Sequence, residues 1–326
     1  MLKLNKIRIE PISSITTNLW KFRILVAVIK LGVFDVIENV HSIKDIADEL
    51  ALKTDSLERL LNALVAMELL DKKENSYFNK PISSKFLVKS SNEYYGDFIL
   101  MNEESENSWK ELDKVITTGS PVTNDNRSGL AKKIFTKAMH NNAQAPAKKI
   151  SGLIDFSNRK HLLDIGGGSG AFSIILTNKY DNLKATIIEQ PAVCKTIKEY
   201  VKKEGNSNKI NILAGDYFEI EFPVHDVALF GQIFHSNSAE QNNILLKKVY
   251  EKLENNGIVI ITEFLLDEDK TGPLFSALFN LNMLKQTKNG RTYTFSEIKS
   301  WLENIGFKNI EKQHLAGPHT AIIACK

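Results

Sequence analysis

One ten-residue stretch, residues 162–171, restricts the fold of this chain more than any other. It reads LLDIGGGSGA, so a short apolar run leads into a glycine-rich turn, and a helical pattern begins at Phe172. Glycines let the backbone turn tightly and approach a ligand where a Cβ atom would collide. The free N–H groups at the start of the next helix suit an anionic or polar ligand. The stretch therefore predicts a strand, loop and helix that bind a nucleotide-like molecule, and leaves open which one.

Strand and helix patterns alternate on both sides of this loop, which is typical of a doubly wound α/β sheet. The predicted strands are residues 162–165, 184–188, 210–214, 227–232 and 258–263, and the predicted helices are residues 172–179, 192–204 and 239–253. Two further strands, 307–315 and 320–324, are joined by Ala-Gly-Pro. We therefore expect the sheet to end in an antiparallel hairpin.

The first eighty residues follow a different pattern, with three helices and then a small hairpin. The helices are predicted over residues 12–38, 43–50 and 56–68, and the hairpin strands over 69–73 and 76–80. This is the order of a winged helix, a fold that often binds DNA. A DNA-reading helix shows a basic stripe, but here Asp55 and Glu58 oppose Arg59. A role in dimerisation, or as a lid over a substrate, is the favoured interpretation.

Composition limits the partners and the compartment. The 42 basic and 39 acidic residues give a net charge of +3, which is too balanced to indicate binding to nucleic acid or to a membrane surface, and neither partner is expected. No apolar run of about 18–20 residues, the length of a membrane span, is expected. The only cysteines are Cys194 and Cys325, which suits a reducing cytoplasm. None of the seven histidines pair at i, i+4, so no metal site is predicted.

Three strand ends carry side chains suited to a ligand. In a sheet of this kind the ligand lies beyond the carboxyl ends of the strands. Asp164 precedes the glycine loop, and Glu189 ends the next strand about twenty residues later, where an acidic side chain can accept from ribose hydroxyls. The third strand ends in Gly215-Asp216-Tyr217-Phe218, a carboxylate and two aromatic rings able to hold an adenine.

Two cofactors fit these residues. Gly166, Gly168 and Ala171, followed by Glu189, satisfy a relaxed dinucleotide fingerprint, so an NAD enzyme is a fair alternative. Against it stand Asp164 beside the loop, the third site at the Gly215-Asp216 pair, and a terminal hairpin that is foreign to the usual dinucleotide domain.

Taken in order, the motifs resemble those of a known family. They are Asp164 with the glycine loop, Glu189-Gln190-Pro191, Gly215-Asp216-Tyr217-Phe218-Glu219, Phe234-His235, Glu263, Gly290-Arg291-Thr292 and Gly306-Phe307. Over nearly its whole length the chain resembles S-adenosylmethionine-dependent O-methyltransferases. These join an N-terminal winged-helix dimerisation domain to a Rossmann-like catalytic domain, and the group includes plant phenolic and bacterial polyketide methyltransferases.

The resemblance implies a role for each motif. His235 matches the general base, with Glu263 as an orienting carboxylate, and an imidazole that titrates near neutrality can take the proton of a phenol or enol. The implied S-adenosylmethionine-binding residues are Asp164, Gly166, Gly168, Glu189, Gln190, Gly215, Asp216, Tyr217, Phe218 and Gln232. The implied lining of an acceptor pocket is Trp109, Phe135, Met139, Phe234, Phe279 and Met283.

The resemblance also implies an organisation for the whole chain. We expect a dimerisation domain at residues 1–95, a helical linker at 96–155 that contributes to the acceptor pocket, and a catalytic domain at 156–326. The expected protein is a cytoplasmic homodimer of secondary metabolism. It would methylate a hydroxyl of a small, aromatic or polyketide-like molecule.

The sequence departs from the family pattern around the expected base. Ser236 and Asn237 stand where Asp and Trp usually follow the histidine. Gly290 and Asn289 stand where an acidic residue usually precedes the Arg-Thr pair. Three alternatives therefore stay open: methylation of carbon, a descendant that keeps the cofactor without transferring methyl groups, and a cofactor-sensing DNA-binding regulator.

Overall fold

The structure is a computed structural model that describes residues 9–122 and 129–326. The chain divides into two compact units, Met1–Glu104 and Ser105–Lys326. The three-part division expected from the sequence places its boundaries elsewhere, at residues 95 and 155, and stays a prediction.

The first unit consists of six helices and one two-stranded hairpin in its described residues. The helices are α1 (Glu10–Leu31), α2 (Val33–Ile37), α3 (Ile43–Glu49), α4 (Thr54–Ala66), α5 (Pro81–Leu87) and α6 (Gly96–Glu104), and the strands are β1 (Leu70–Lys73) and β2 (Ser76–Asn79). Gly32 ends α1 in the left-handed conformation, with φ of +72°, which glycine adopts without a steric penalty. The α3, α4, β1, β2 order agrees with the predicted helices and hairpin.

Helix α1 presents an apolar surface to solvent. Ile12, Ile15, Leu19 and Trp20 are between 53% and 69% exposed. By length and composition alone, α1 is also a helix that could cross a membrane. This corrects the expectation that the chain has no apolar segment of that length.

The second unit is built on a seven-stranded sheet. Its strands are β3 (His161–Ile165), β4 (Lys184–Glu189), β5 (Ile210–Ala214), β6 (His225–Gly231), β7 (Leu253–Glu263), β8 (Lys308–His314) and β9 (Thr320–Cys325). Their order across the sheet is β5-β4-β3-β6-β7-β9-β8. The first five strands are parallel, and β9 pairs antiparallel with both β7 and β8. The Rossmann-like sheet with an antiparallel terminal hairpin is thus confirmed.

The described residues of the second unit also form eight α-helices. They are α7 (Glu106–Trp109), α8 (Leu112–Thr118), α9 (Gly129–Leu153), α10 (Ala171–Lys179), α11 (Pro191–Lys203), α12 (Ala239–Lys252), α13 (Leu274–Gln286) and α14 (Phe295–Ile305). Neighbouring strand residues point to opposite faces, so Leu162 joins the core cluster containing α10 and α11 residues, and Leu163 joins the one containing α12 and α14 residues. Helices α13 and α14 were not among the predicted elements.

Candidate active site

The glycine loop after β3 is tied to the end of β4. Gly166 and Gly168 have φ of +65° and +57°, a left-handed conformation that favours glycine. The N–H of Gly168 donates to Oε2 of Glu189 at 2.9 Å, and the N–H of Gln190 donates to Oε1 of the same carboxylate at 2.7 Å. Each oxygen keeps a lone pair for a further donor. Burial raises the pKa of Glu189. Glu189 thus holds the loop and can still accept from a diol.

Asp164 lies beneath the loop. It is only 1% exposed, and its Oδ2 accepts from the Ser173 hydroxyl at 2.6 Å. Burial raises the pKa of Asp164 to about 7, against the opposing effect of the Ser173 hydrogen bond. A Cβ atom at Gly167 would lie 2.8 Å from Cγ of Asp164, so loop and carboxyl group are in close contact. Oδ1 of Asp164 is buried and has no hydrogen-bond partner among the residues that the structure describes. The side chain supports the loop from below, and its expected contact with a cofactor stays a prediction.

The turn after β5 brings the third strand end to the same edge of the sheet, since Glu189 is in register with Ala214. Oδ1 of Asp216 accepts from the N–H of Phe218 at 2.8 Å. The rings of Tyr217 and Phe218 lie 4.9 Å apart. This turn therefore presents a carboxylate and an aromatic pair beside the glycine loop.

Gln232 follows β6 with φ of +62°. Its Nε2 atom is buried and has no hydrogen-bond partner among the residues that the structure describes. A buried amide without a partner is costly, so a ligand acceptor at this position would satisfy it. With the Glu189 carboxylate and the turn after β5, this observation fits a cofactor that carries a ribose, an adenine and a polar end.

A histidine and a carboxylate form a buried pair at the ends of β6 and β7. His235 lies in a short 3₁₀ turn, Phe234–Ser236, and Glu263 is the last residue of β7. Oε2 of Glu263 lies 2.8 Å from Nδ1 of His235, and Oε1 accepts from the backbone N–H of His235 at 3.2 Å. Their side chains are 12% and 4% exposed. The carboxylate thus fixes both ring and backbone of the histidine.

Aromatic rings surround this pair. The ring of Phe279 meets that of His235 edge-on at 4.9 Å, and Phe264 stacks on His235 at 6.1 Å. On Phe264 packs His319, whose ring centroid is 4.8 Å away. Nε2 of His319 lies 3.4 Å from Nδ2 of Asn142 on α9. The surroundings of His235 are thus largely apolar, as expected for a site that takes a flat, apolar acceptor.

The six expected pocket residues occupy different environments. Phe279 contacts His235 directly, as above. Trp109 lies under the buried Lys285, whose Nζ is 4.7 Å from the ring centroid, and Met283 is buried on the same helix as Lys285. Phe135 and Met139 are one turn apart on α9 and partly exposed. For these five, the pocket role stays a prediction.

Phe234 requires a correction. It is fully buried, and its ring packs against Phe230 at 5.0 Å and Trp301 at 6.3 Å. The 3₁₀ turn directs neighbouring residues to opposite sides, so His235 faces the site while Phe234 faces the core. Its side chain is therefore not available to line an acceptor pocket.

Sequence reasoning missed two residues that organise the site. Asn237 accepts at Oδ1 from the Tyr217 hydroxyl at 3.3 Å, which links the turn after β5 to the segment that carries His235. Ser169 in the glycine loop lies 2.9 Å from Nδ1 of His140, which stacks on Tyr200 at 3.9 Å. Neither residue belongs to a spacing pattern. The only signal in the sequence was at Asn237, which departs from the family pattern.

Two family models match the chain. An O-methyltransferase domain matches residues 104–308, and an O-methyltransferase dimerisation domain matches residues 14–89.

Two similar proteins come from Streptomyces. The chain is 28% identical over 317 residues to the 3-hydroxy-5-methyl-1-naphthoate 3-O-methyltransferase of Streptomyces sahachiroi, covering 94% of this chain and 92% of the relative. It is 25% identical over 326 residues to the tetracenomycin polyketide synthesis 8-O-methyl transferase of Streptomyces glaucescens, covering 97% and 96%.

Solved structures share the fold. Human N-acetylserotonin methyltransferase in complex with S-adenosylmethionine superposes with a TM-score of 0.88 at 24% identity, covering 100% of this chain and 99% of that one. A structure described as PigF with S-adenosylhomocysteine gives 0.84 at 25% identity, covering 98% and 100%.

Proposed function

Since the chain belongs to the S-adenosylmethionine-dependent O-methyltransferases that carry a dimerisation domain, we propose that it methylates a hydroxyl group of a small aromatic or polyketide-like molecule, with His235 as general base. The observation that carries this proposal is the buried His235–Glu263 pair among aromatic rings. The two Streptomyces relatives, whose names give a naphthoate and a polyketide product as their context, support the substrate class.

When bound, the cofactor would supply a methyl group from its sulfonium centre to the acceptor oxygen and would be left as the thioether S-adenosylhomocysteine. Glu189 would accept from the ribose hydroxyls, and Asp216 and Tyr217 would frame the adenine. Gly166, Gly168 and the Nε2 atom of Gln232 would meet the amino-acid end. Gln190 and Gly215 donate to the side chain and the backbone carbonyl of Glu189, and the ring of Phe218 packs on Tyr217, so all three would support these contacts.

The protein's own part in the reaction is to position the acceptor and take its proton. Glu263 accepts from Nδ1–H of His235, which selects the tautomer with a free lone pair on Nε2. Nε2 removes the hydroxyl proton as the oxygen attacks, and the buried carboxylate stabilises the resulting imidazolium. Phe279 and Phe264 limit the access of water to the ring.

The N-terminal unit would serve as a homodimer contact. The matched dimerisation domain includes most of α1, whose exposed apolar residues need cover in water. A second copy provides that cover, and for this reason we favour dimerisation over membrane insertion of α1.

DNA binding is less well supported. Arg59 pairs with Asp55 at 3.1 Å and Lys72 pairs with Glu58 at 3.2 Å, so two of the basic side chains of α4 and the hairpin are matched by carboxylates. The cytoplasmic location and the part in secondary metabolism stay predictions.

Three measurements test the proposal. Calorimetry should show binding of S-adenosylhomocysteine and none of NAD. Incubation with methyl-labelled S-adenosylmethionine and a metabolite extract should give a labelled small molecule whose label sits on oxygen. On that acceptor, H235A should lower kcat by about 100-fold or more and leave S-adenosylhomocysteine affinity unchanged. Full turnover by H235A would refute the role of the base, and label on carbon would refute O-methylation.

A further inference from the structure

A lysine outside every recognised motif binds the turn after β5 from behind. Lys248 lies on α12, and its Nζ donates to the carbonyl oxygens of Tyr217, Phe218 and Ile220 at 2.7, 2.8 and 2.9 Å. An ammonium group has three N–H donors. All three donors therefore bind carbonyl oxygens of one turn, residues 215–220, which follows β5.

The surroundings of Lys248 make these bonds strong. Burial lowers the pKa of Lys248, and the nearby carboxylate of Asp216 raises it. Its Nζ also lies 4.4 Å from the ring centroid of Phe222. Hydrogen bonds from a charged donor that is partly shielded from water are stronger than neutral ones.

The other bonds of the turn are mostly internal. The Asp216 carboxylate accepts from Phe218, and the Asp216 carbonyl accepts from the N–H groups of Glu219 and Ile220 at 3.0 and 2.9 Å. These bonds define the shape of the turn but do not attach it to the sheet or its helices. The N–H of Gly215 attaches the start of the turn to the Glu189 carbonyl at 3.0 Å, and the side chains of Tyr217, Phe218 and Ile220 pack on the core. The polar bonds that hold the rest of the turn are those of the Tyr217 hydroxyl with Asn237 and of Lys248 with the backbone carbonyls.

We propose that Lys248 is a positioning residue for the cofactor, which fixes the backbone of residues 217–220 so that Asp216 and Tyr217 meet the adenine. The inference rests on the proposed assignment of this turn to the adenine. It predicts that Lys248 affects cofactor affinity and leaves the chemistry of the His235–Glu263 pair unchanged, because Lys248 contacts no part of that pair.

The test compares K248M with K247M. Methionine keeps most of the aliphatic stem and removes the three donors, and Lys247 is the exposed neighbour on the same helix. Calorimetry would use two probes: S-adenosylhomocysteine, and 5′-methylthioadenosine, which keeps the adenosine and lacks the amino-acid part. We expect K248M to weaken both probes by about tenfold, because charged hydrogen bonds to the adenine turn are lost. K247M should leave both affinities within about twofold.

Steady-state kinetics give a second readout. K248M should raise the KM for S-adenosylmethionine and leave kcat at saturation within about twofold, a split that general loosening of the fold would not produce. If K248M does not fold, K248R replaces it: it keeps the charge, but its planar fork cannot reach three carbonyls of one turn in the same way, so the same loss of affinity is expected.

Y217A separates this inference from the assignment on which it rests. Unchanged affinities in K248M, or a lower melting temperature with unchanged affinities, would overturn the positioning role; if Y217A then weakened both probes, the adenine assignment would stand. If Y217A also left both affinities intact, the assignment of the turn to the adenine would itself be wrong.

Discussion

The backbone of Gly290 lies against the carbonyl of His235. A Cβ atom at Gly290 would be 2.4 Å from that carbonyl oxygen and 2.4 Å from Oγ1 of Thr287. Backbone cannot move aside as a flexible side chain can. A side chain at residue 290 would therefore displace the 3₁₀ turn that carries the proposed base, and this explains why no acidic residue can stand there in this structure.

Substituting Gly290 tests how tightly the base is held. We expect G290A to lower kcat by about tenfold, since misplacing a catalytic group by a fraction of an ångström is costly, and to leave S-adenosylhomocysteine affinity within about twofold. G152A is the control, because a Cβ atom at Gly152 would meet open space. Equal kcat values for G290A and the unaltered protein would contradict the expected displacement.

The charge of Glu263 should matter more than its shape. E263Q keeps a hydrogen-bond acceptor but no longer stabilises an imidazolium, so we expect kcat to fall by about 10- to 100-fold with the KM for S-adenosylmethionine unchanged. E254Q alters an exposed carboxylate at the other end of β7 and should be neutral. A loss of cofactor affinity in E263Q, with kcat retained, would assign Glu263 to the wrong part of the site.

Glu189 should control cofactor binding. In E189Q one side-chain atom becomes a donor and faces a backbone N–H, so the Gly168 or the Gln190 hydrogen bond is lost together with a ribose contact. We expect S-adenosylhomocysteine affinity to fall by about 10- to 100-fold. E199Q, an exposed carboxylate on α11, is the matched control. Calorimetry that gave the same affinity for E189Q as for E199Q would remove Glu189 from the cofactor site.

The apolar face of α1 should hold two copies together. A charge at Leu19 opposes burial of that face, so L19E should be a monomer at concentrations where the unaltered protein is a dimer. S14E places the same charge on the helix face opposite Leu19 and should stay dimeric. Light scattering after gel filtration reads both masses, and a dimeric L19E would place the interface elsewhere.

Acid should destabilise the fold through His225. Burial lowers the pKa of His225 to about 4 from 6.5, with its hydrogen bond to the Pro223 carbonyl opposing. Between these values the unfolded chain binds a proton that the folded one does not, so the free energy of unfolding falls as the pH drops from about 6.5 to about 4. H225N keeps a donor for Pro223 and should show a smaller fall in urea midpoint.

The control for H225N is a substitution of His314, which is exposed. The urea midpoint of H314N should fall with pH by as much as that of the unaltered protein. Some dependence will remain in H225N, because burial also lowers the pKa of His140 to about 4. Identical pH profiles for H225N and H314N would show that His225 makes no such contribution.

Much of this architecture could be predicted because it is periodic. The largely apolar strands and the glycine loop occur in sequence as local patterns, and the positions of Glu189 and His235 follow from the strands that precede them. Helices α13 and α14 were not predicted. Because α13 is apolar around much of its circumference, its sequence lacks the one-sided apolar pattern of a surface helix.

Contacts between distant residues could not be predicted. Phe234 and His235 are adjacent in sequence, and only the geometry of the 3₁₀ turn shows that one enters the core and the other the site. Likewise the sequence does not distinguish Lys248 from the exposed lysines of its helix, because its contacts are with the turn after β5, about thirty residues earlier in the chain.

The position of β9 in the sheet has a consequence for the order in which parts of the protein fold during synthesis. β9 follows β8 in the chain but lies between β7 and β8, and Thr320 pairs with Glu263. During synthesis, the strand that carries the Glu263 carboxylate therefore waits for residues 320–325 before it gains its second neighbour. The glycine loop and its partner strands can assemble earlier. In a growing chain, the proposed cofactor site should therefore form before the strand that carries Glu263 is fixed on both sides.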